Sequence, residues 1–491
     1  MLRCYSPVIA GLMVGVSPLL AAETVPTASP PAPLCPADLQ DQIEQQLQRP
    51  DLARAQWGIF MQPLGAATPL IAHQADKLFI PASTQKLVTT GIALDVLGPD
   101  FQFQTPIYAK RSPYHRHQLQ TLQIISSGDP TLQPADLVAI GTRLKTIGIR
   151  HIQQLQLVDP IPPEQHHRPS WEWDDLQYGY APAVNQAILA GNQVTLTLTP
   201  QTVGEPLQMS WSEAIAASQW QVVNLTRTVV NPQSSLQIQQ NRRQRTLTIR
   251  GELGPDANPD QTRLALPDPA QYFLDTLSHQ LHQQGISVAK TQLRQQSRPL
   301  STRPLLTLQS PPLSALIQTI NQDSNNLYAE ALWNQLLQSH SSQAATPLGK
   351  RRLQALGIPD TSLRIRDGSG LSRQNLISPR TLVQLLSVLA QSPHASTYRE
   401  SLALAGESGT LKNRFRDSPL AGKIQAKTGT LTGVVTLAGF QTEIPLGTLV
   451  FSIIVNNSDL APSVLRAAMD QILHWSAQVT PCEAHLNRLG D

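Results

Sequence analysis

The chain has 491 residues, with 37 Lys and Arg against 34 Asp and Glu, a formal net charge of +3, and 41% hydrophobic against 14% charged residues. It is too long for one small core and too apolar to stay unfolded, so two or three globular domains are expected. The basic residues are dispersed, and no Lys/Arg run interleaved with aromatics tracks a phosphate backbone, which argues against nucleic acid as a partner.

Arg3 precedes the apolar run VIAGLMVGVSPLLAA, Val8 to Ala22, which ends in small residues and gives way to the Pro-rich ETVPTASPPAP. This is the order of a secretory signal peptide, so residues 1–22 are expected to be removed by cleavage near Ala21 or Ala22. A Pro-rich linker, residues 23–36, follows. The apolar run is shorter than the roughly 20 residues of a spanning helix and contains Ser17 and Pro18, which weighs against a membrane anchor. The expected location is the periplasm or the cell envelope, in soluble or loosely attached form, because neither Cys4 nor Cys35 has a Leu-small-small-Cys context for lipid attachment. Cleavage leaves Cys35 and Cys482 near opposite ends of the mature chain. An oxidising compartment permits a Cys35–Cys482 disulfide, and two unpaired thiols stay open as the alternative, since spacing does not establish a Cα separation below about 7 Å.

After the leader, CPADLQDQIEQQLQRPDLARAQWGIFMQPL reads as an amphipathic helix and then a strand. Residues 101–300 change texture. Short alternating strands such as QLQTLQIISSG, QVTLTLTP and RTLTIRGEL are separated by Pro, Asp and Gly turns, so a β-rich region is expected. From Thr302 the pattern turns helical, in LSALIQTINQDSNNLYAEALWNQLLQ and SPRTLVQLLSVLAQS. The chain closes with GKIQAKTGTLTGVVTLAGFQTE and GTLVFSIIVNN as successive antiparallel strands, and APSVLRAAMDQILHWSAQ as a last helix. The expected fold is α/β (α+β): an antiparallel sheet flanked by helices, formed by residues 37–100 and 301–482 and interrupted by the β-rich insertion 101–300.

Three short clusters could carry chemistry. The first, Ser83-Thr84-Gln85-Lys86, opens a helix-like run. Alone it reads first as an N-cap, because a Ser oxygen accepts an orphan backbone N–H. The second, Ser324-Asn325-Asn326, lies where a turn meets a helix, and the third, Lys427-Thr428-Gly429-Thr430, heads a strand followed by another strand. Each has an ordinary structural explanation on its own; finding all three in this order and local context does not.

In these elements the chain resembles the penicilloyl-serine transferase superfamily, the penicillin-binding proteins and serine β-lactamases, whose Ser-x-x-Lys, Ser-x-Asn and Lys-Thr-Gly motifs converge on one site. From Ser83 to Ser324 is 324 − 83 = 241 residues, more than a compact class A β-lactamase leaves. Such an insertion is similar to that of the class C low-molecular-mass penicillin-binding proteins, the D-alanyl-D-alanine carboxypeptidase/endopeptidase family of the penicillin-binding protein four type. SSGDPTL (Ser126 to Leu132), WEWDDLQYGYAPAVN (Trp171 to Asn185), RDGSGLSR (Arg366 to Arg373) and SGTLKNRF (Ser408 to Phe415) agree with that family. The resemblance spans roughly residues 37 to 475 and implies a penicillin-binding/β-lactamase-like catalytic domain with two nested subdomains in the insertion.

A Ser hydroxyl is a weak nucleophile at neutral pH and needs a base. Helical residues i and i+3 share a face, so Lys86 reaches Ser83, provided burial, the helix dipole and a second cation lower its pKa. The resemblance implies that Lys427 is that cation and Lys86 the general base. It implies that the Ser324 hydroxyl relays a proton to the leaving nitrogen, and that the Asn326 amide binds the substrate backbone and contacts Lys86. Lys427 and Thr428 would meet the terminal carboxylate, Gly429 would let the strand approach, and the backbone N–H groups of Ser83 and Thr430 would form the oxyanion hole. Asp129 and Arg373 are the positions that match family residues engaging the charged end of the peptide side chain, with Leu431 and Thr432 lining the same pocket. The implied substrates are peptidoglycan stem peptides ending in D-Ala-D-Ala, with D-alanyl cross-links as a further target and β-lactams as acylating inhibitors. The twelve His are scattered and His166-His167 lacks a metal-binding spacing, so neither metal nor cofactor is expected. A β-lactamase or esterase on the same fold is disfavoured by the long insertion, and a penicillin sensor without turnover by the complete set Ser83, Lys86, Ser324, Asn326 and Lys427.

Overall fold

Alternating and continuous apolar runs near the C-terminus form the centre of an antiparallel sheet. In the computed structural model, which describes residues 34–296, 298–338, 345–358 and 363–480, six strands run in the order Ala403–Leu404, Ile424–Leu431, Val434–Ile444, Gly447–Asn456, Gln56–Pro63, Ile71–His73. Every neighbouring pair is antiparallel. Val434–Ile444 and Gly447–Asn456 are buried along most of their length, as covering on both faces demands.

The strands' two-residue alternation distributes their side chains between two cores. Ile59, Leu437 and Ile453 join helices Pro36–Leu47 and Pro462–Ser476 on one face. Phe60, Phe440 and Ile454 face Gln85–Leu97, Leu313–Gln322, Asn326–Gln338 and Pro379–Leu389 on the other. Gln85 to Leu94 are all buried, which makes Gln85–Leu97 a central helix wrapped by its neighbours. The helix Pro379–Leu389 starts as its sequence specifies: Ser378 Oγ accepts from Thr381 N at 3.1 Å, with Pro at the first helical position.

The inserted region has its own core. It holds a seven-stranded mixed sheet and two three-stranded sheets. Two features depart from the sequence reading. Besides strands the region carries helices Val138–Thr146 and Pro269–Gln283, the second capped by Asp268 Oδ1 accepting from Gln271 N at 3.1 Å. The apolar spacing of Tyr272, Phe273, Leu277 and Leu281 is interleaved with Gln and His, which masked it among strand-like neighbours. The strand Leu306–Gln309 pairs with Gln104–Arg111, so the large sheet takes in chain beyond residue 300.

Residues 1–22, the expected signal peptide, lie outside the described residues, as do most of the linker and Cys482 of the candidate Cys35–Cys482 pair. The chain ends nearby do meet: Leu34 forms a parallel bridge with Val479. Among the described residues no helix is long and apolar enough to cross a membrane.

Candidate active site

Ser83 lies in a single 3-10 turn, Ala82–Thr84, that leads into the helix Gln85–Leu97. The capping explanation of Ser83 fails here. Thr84 occupies the N-cap position, and Ser83 Oγ is instead 2.9 Å from Lys86 Nζ. The turn is held by Thr84 Oγ1 and Thr436 Oγ1, which both donate to the Pro81 carbonyl, at 2.7 and 3.0 Å. Ala82 has φ 47°, a left-handed conformation that costs a non-glycine residue energy and aims the next residue outward. Gly370, at φ +83°, backs this turn so closely that a Cβ there would run into the Ala82 carbonyl.

Lys86 is fully buried. Its Nζ lies 2.6 Å from both Asn326 Oδ1 and the Ser369 carbonyl oxygen. Those two oxygens accept only, so they take two hydrogens of the amine. In the neutral form the remaining lone pair faces Ser83 Oγ. Burial pushes the Lys86 pKa down to about 7, against the opposing pull of the Asp367 and Glu330 carboxylates.

Lys427 reaches the same centre from the strand Ile424–Leu431. Its Nζ donates to Ser324 Oγ at 2.9 Å and to the Thr428 carbonyl at 2.8 Å. Burial pushes its pKa well below the usual range, and the nearby Lys86 charge pushes it further. Ser324 sits at φ 60° in the turn between Leu313–Gln322 and Asn326–Gln338, a strained position that presents its hydroxyl to Lys427. Asn326 is oriented from both ends: Oδ1 accepts from Lys86, and Nδ2 donates to the Tyr180 carbonyl at 2.7 Å. One Nδ2 hydrogen is left over.

The strand Ile424–Leu431 has an open edge. Its outer neighbour, Ala403–Leu404, pairs only with Gln425 and Ala426. Because Ile424 points its carbonyl to that side, alternation turns the backbone groups of Thr428 and Thr430 the same way, towards the Ser83 turn. A Cβ on Gly429 would sit 2.8 Å from Ser83 N, so the absent side chain keeps that amide uncovered.

Two cavities open from Ser83. One, of about 380 Å³, is lined by Ser83, Ser324 and Asn326 together with Arg373, Leu431 and Thr432. Glu172, Asp175 and Tyr180 of the insertion complete it. Arg373 donates to the Thr432 carbonyl at 2.8 Å and lies 3.5 Å from Glu172. The other, about 560 Å³, is lined by Thr410, Thr428 and Thr430 with Arg414 and Arg466. Thr428 Oγ1 bonds Thr410 Oγ1 at 2.8 Å, and Arg466 reaches Thr430 Oγ1 at 3.2 Å.

Asp129 does not join these groups and lines neither cavity. It is buried, and its Oδ1 accepts from Thr131 N and Oγ1 at 2.9 and 2.7 Å, closing a local turn. Burial raises its pKa. The carboxylates that the insertion brings to the cavity are Glu172 and Asp175, and the signal for them lies in the run Trp171 to Asn185.

Sequence reading also missed Glu330. This buried carboxylate accepts from Gly368 N and Ser369 N at 2.9 Å each and pairs with Arg168 at 2.8 Å. It therefore fixes the two peptides that lead into Ser369, whose carbonyl accepts from Lys86, while Gly370 N donates to Asp367 Oδ1 at 2.8 Å. Burial raises its pKa and Arg168 draws it back. Glu330→Ala, which strands Arg168 and two backbone N–H groups, is expected to cost about 3 kcal/mol. Thermal unfolding would show this as a lowered midpoint, and an unchanged midpoint would remove Glu330 from the scaffold of the site.

Among the described residues no group of three or more His, Cys, Asp or Glu is placed to hold a metal ion. The arrangement offers a hydroxyl, a buried amine to deprotonate it, a second amine beside a second hydroxyl, and two backbone amides, one in the Ser83 turn and one at the open strand edge. Those are the parts of a serine acyl-transfer centre.

Comparison with known proteins agrees. Residues 39–479 match the D-Ala-D-Ala carboxypeptidase 3 (S13) family. The chain is 29% identical over 485 residues to a D-alanyl-D-alanine carboxypeptidase of an Actinomadura species, covering 95% of this chain and 88% of that one. It is 27% identical over 414 residues to the D-alanyl-D-alanine carboxypeptidase DacB of Haemophilus influenzae, covering 81% and 85%. Among solved structures, penicillin-binding protein 4 of H. influenzae shares the fold at a TM-score of 0.75 with 24% identity, over 86% of this chain and 94% of that one. With the family model matched over most of its length, the chain belongs to the D-Ala-D-Ala carboxypeptidase 3 (S13) family and is a serine-type D-Ala-D-Ala carboxypeptidase.

Proposed function

We propose that Ser83 is the nucleophile and Lys86 its general base in an exported D,D-peptidase that trims peptidoglycan stem peptides. The observation that carries this is the Lys86 environment: two acceptors at 2.6 Å use its hydrogens, and Ser83 Oγ at 2.9 Å meets what is left. In acylation Lys86 takes the Ser83 proton as Oγ attacks the carbonyl between the two D-alanines. The oxyanion is met by Ser83 N–H and Thr430 N–H. Ser324, hydrogen-bonded to Lys427, hands a proton to the departing D-alanine nitrogen as the C–N bond breaks. The proton that Lys86 took from Ser83 then replaces the one Ser324 gave, which leaves Lys86 neutral; water attacks the ester and gives a proton to Lys86, which returns it to Ser83 Oγ as the ester bond breaks.

The cavity holding Arg466, Arg414 and Thr428 suits the leaving carboxylate, with Lys427 behind it. The cavity holding Arg373 against Glu172 and Asp175 suits a third-residue side chain that ends in both an amine and a carboxylate. Asn326 has one amide hydrogen for the substrate backbone. Room on both sides of Ser83 also accommodates a cross-linked donor strand, the endopeptidase substrate. One solved structure of the Haemophilus protein is complexed with a β-lactam; the same ring is expected to acylate Ser83. The N-terminal run supports export.

The test is to incubate the purified chain with an N-acylated tripeptide ending in D-Ala-D-Ala and, separately, with benzylpenicillin. Stoichiometric D-alanine release together with a lasting penicilloyl mass adduct is the expected outcome. Penicillin consumed without an adduct would identify a β-lactamase, and neither reaction would overturn the mechanism.

A further inference from the structure

A further cavity, which adjoins the site at Ser324 and Asn326, is not used by that mechanism. It measures about 760 Å³ and lies between the Ser324 turn and the insertion's strands Gln193–Thr199 and Asp260–Ala265. It shares Tyr180, Ser324 and Asn326 with the side-chain cavity, so the two are contiguous. We infer that this groove is a subsite for the glycan end of the substrate, taking the N-acetylated sugar that carries the stem peptide. The inference rests on the reading of the site as a peptidoglycan D,D-peptidase.

The chemistry of the walls selects a sugar. Tyr178 and Tyr180 stack in parallel, with ring centroids 5.6 Å apart and planes 13° apart, and Tyr180 is 47% exposed. Tyr180 Oη donates to Asp175 Oδ1 at 2.7 Å, which fixes the ring. A rigid aromatic face is what the C–H face of a pyranose packs on, since it is apolar while the ring edge is polar. Facing it are the planar side chains of Gln193, Gln261, Arg263 and Asp323. Among the described residues none of these four side chains makes a hydrogen bond or an ion pair within the protein, so their donors and acceptors are free for hydroxyl and acetamide groups. Arg263 and Asp323 contribute one charge of each sign. The groove therefore has no excess charge to recruit a polyanion, and its tyrosine faces and Leu327 give too little apolar wall for a lipid.

The position agrees. With the third residue's side chain in the smaller cavity, the first two stem residues lead past Tyr180 and Asn326, and the sugar follows. Gly179 makes the approach of the two walls close: its N–H donates to the Arg263 carbonyl at 2.8 Å, and a Cβ there would lie 2.8 Å from Arg263 Cβ. The insertion thus contributes a wall that reads what the peptide is attached to.

The experiment compares three substrates: the N-acylated tripeptide, the free pentapeptide stem, and the same stem on its N-acetylglucosaminyl-N-acetylmuramyl disaccharide. Each is tested with the wild type and with a Gln261→Ala/Arg263→Ala double variant, whose two positions are both exposed on the edge strand Asp260–Ala265 and line neither cavity that opens from Ser83. The wild type is expected to show a KM about tenfold lower for the disaccharide stem than for the free stem, worth about 1.4 kcal/mol. The double variant should lose that gain while kcat and tripeptide turnover stay as they were. Equal KM values for the two stems, or an unchanged gain in the double variant, would overturn the subsite. A gain already complete in the free stem would give the groove to peptide and overturn it as well. Failure of the wild type to turn over even the tripeptide would instead strike the peptidase reading itself.

Discussion

Ser83→Ala is expected to lower D-alanine release by about 10⁴-fold or more and to abolish the penicilloyl adduct, because among the described residues no other hydroxyl is hydrogen-bonded to Lys86 Nζ. Ser324 Oγ is the nearest substitute in chemistry, but it is hydrogen-bonded to Lys427 Nζ and not to Lys86. The fold should survive. Ser83 Oγ makes one hydrogen bond, to Lys86 Nζ, and Lys86 keeps its bonds to Asn326 and Ser369 in the variant. The stability change should therefore stay within about 1 kcal/mol. Intact-mass measurement with benzylpenicillin, run beside a thermal melt, checks both halves. An adduct that persists in Ser83→Ala would place the nucleophile elsewhere, and a collapsed melting curve would make Ser83 a structural residue.

The second expectation concerns pH. The proposed mechanism needs Lys86 neutral, and burial holds its pKa at about 7. Below that value the amine carries a third hydrogen and has no lone pair for the Ser83 proton. Above it the base is free. The second-order rate of acylation should thus climb about tenfold between pH 6 and a plateau near pH 8, a rise set by the free enzyme's base. Lys86→Ala should reduce the plateau by about 10³-fold and erase the inflection. An inflection near 7 that survives in Lys86→Ala would assign the titration to another group, Lys427 being the first to examine, since its pKa is also driven down by burial and by the Lys86 charge.

Much of this centre was legible in the sequence because its parts are local. Ser83 and Lys86 are one turn apart, Ser324 and Asn326 share a turn, and Lys427 to Thr430 form one strand, so each cluster brought its own geometry. The sheet strands were legible for the same reason, being continuous apolar runs between glycine turns. What stayed hidden depends on contacts across long separations. Glu330 looks like an ordinary helix residue until Arg168, 330 − 168 = 162 positions away, and the amides of Gly368 and Ser369 are seen around it. Where Asp129 sits was not legible either: a Gly-Asp-Pro turn advertises an acidic group, but in the fold Asp129 is buried, with Oδ1 bonded to Thr131, and lines neither cavity that opens from Ser83. Tyr180 was invisible in its role since it is the backbone carbonyl, common to every residue type, that steadies Asn326.

The pairing of Gln56–Pro63 with Gly447–Asn456 sets a clock on the molecule. Ile59 lies opposite Ile453, a separation of 453 − 59 = 394 residues. At about 5 to 20 residues per second of synthesis, the earlier strand waits roughly 20 to 80 seconds for its partner. During that time the insertion, with a core of its own, already has all its strands. The Lys427 strand reaches the sheet only in the last stretch of the chain. A newborn copy is consequently unable to cut anything until it is almost complete, because the sheet that carries Lys427 closes last.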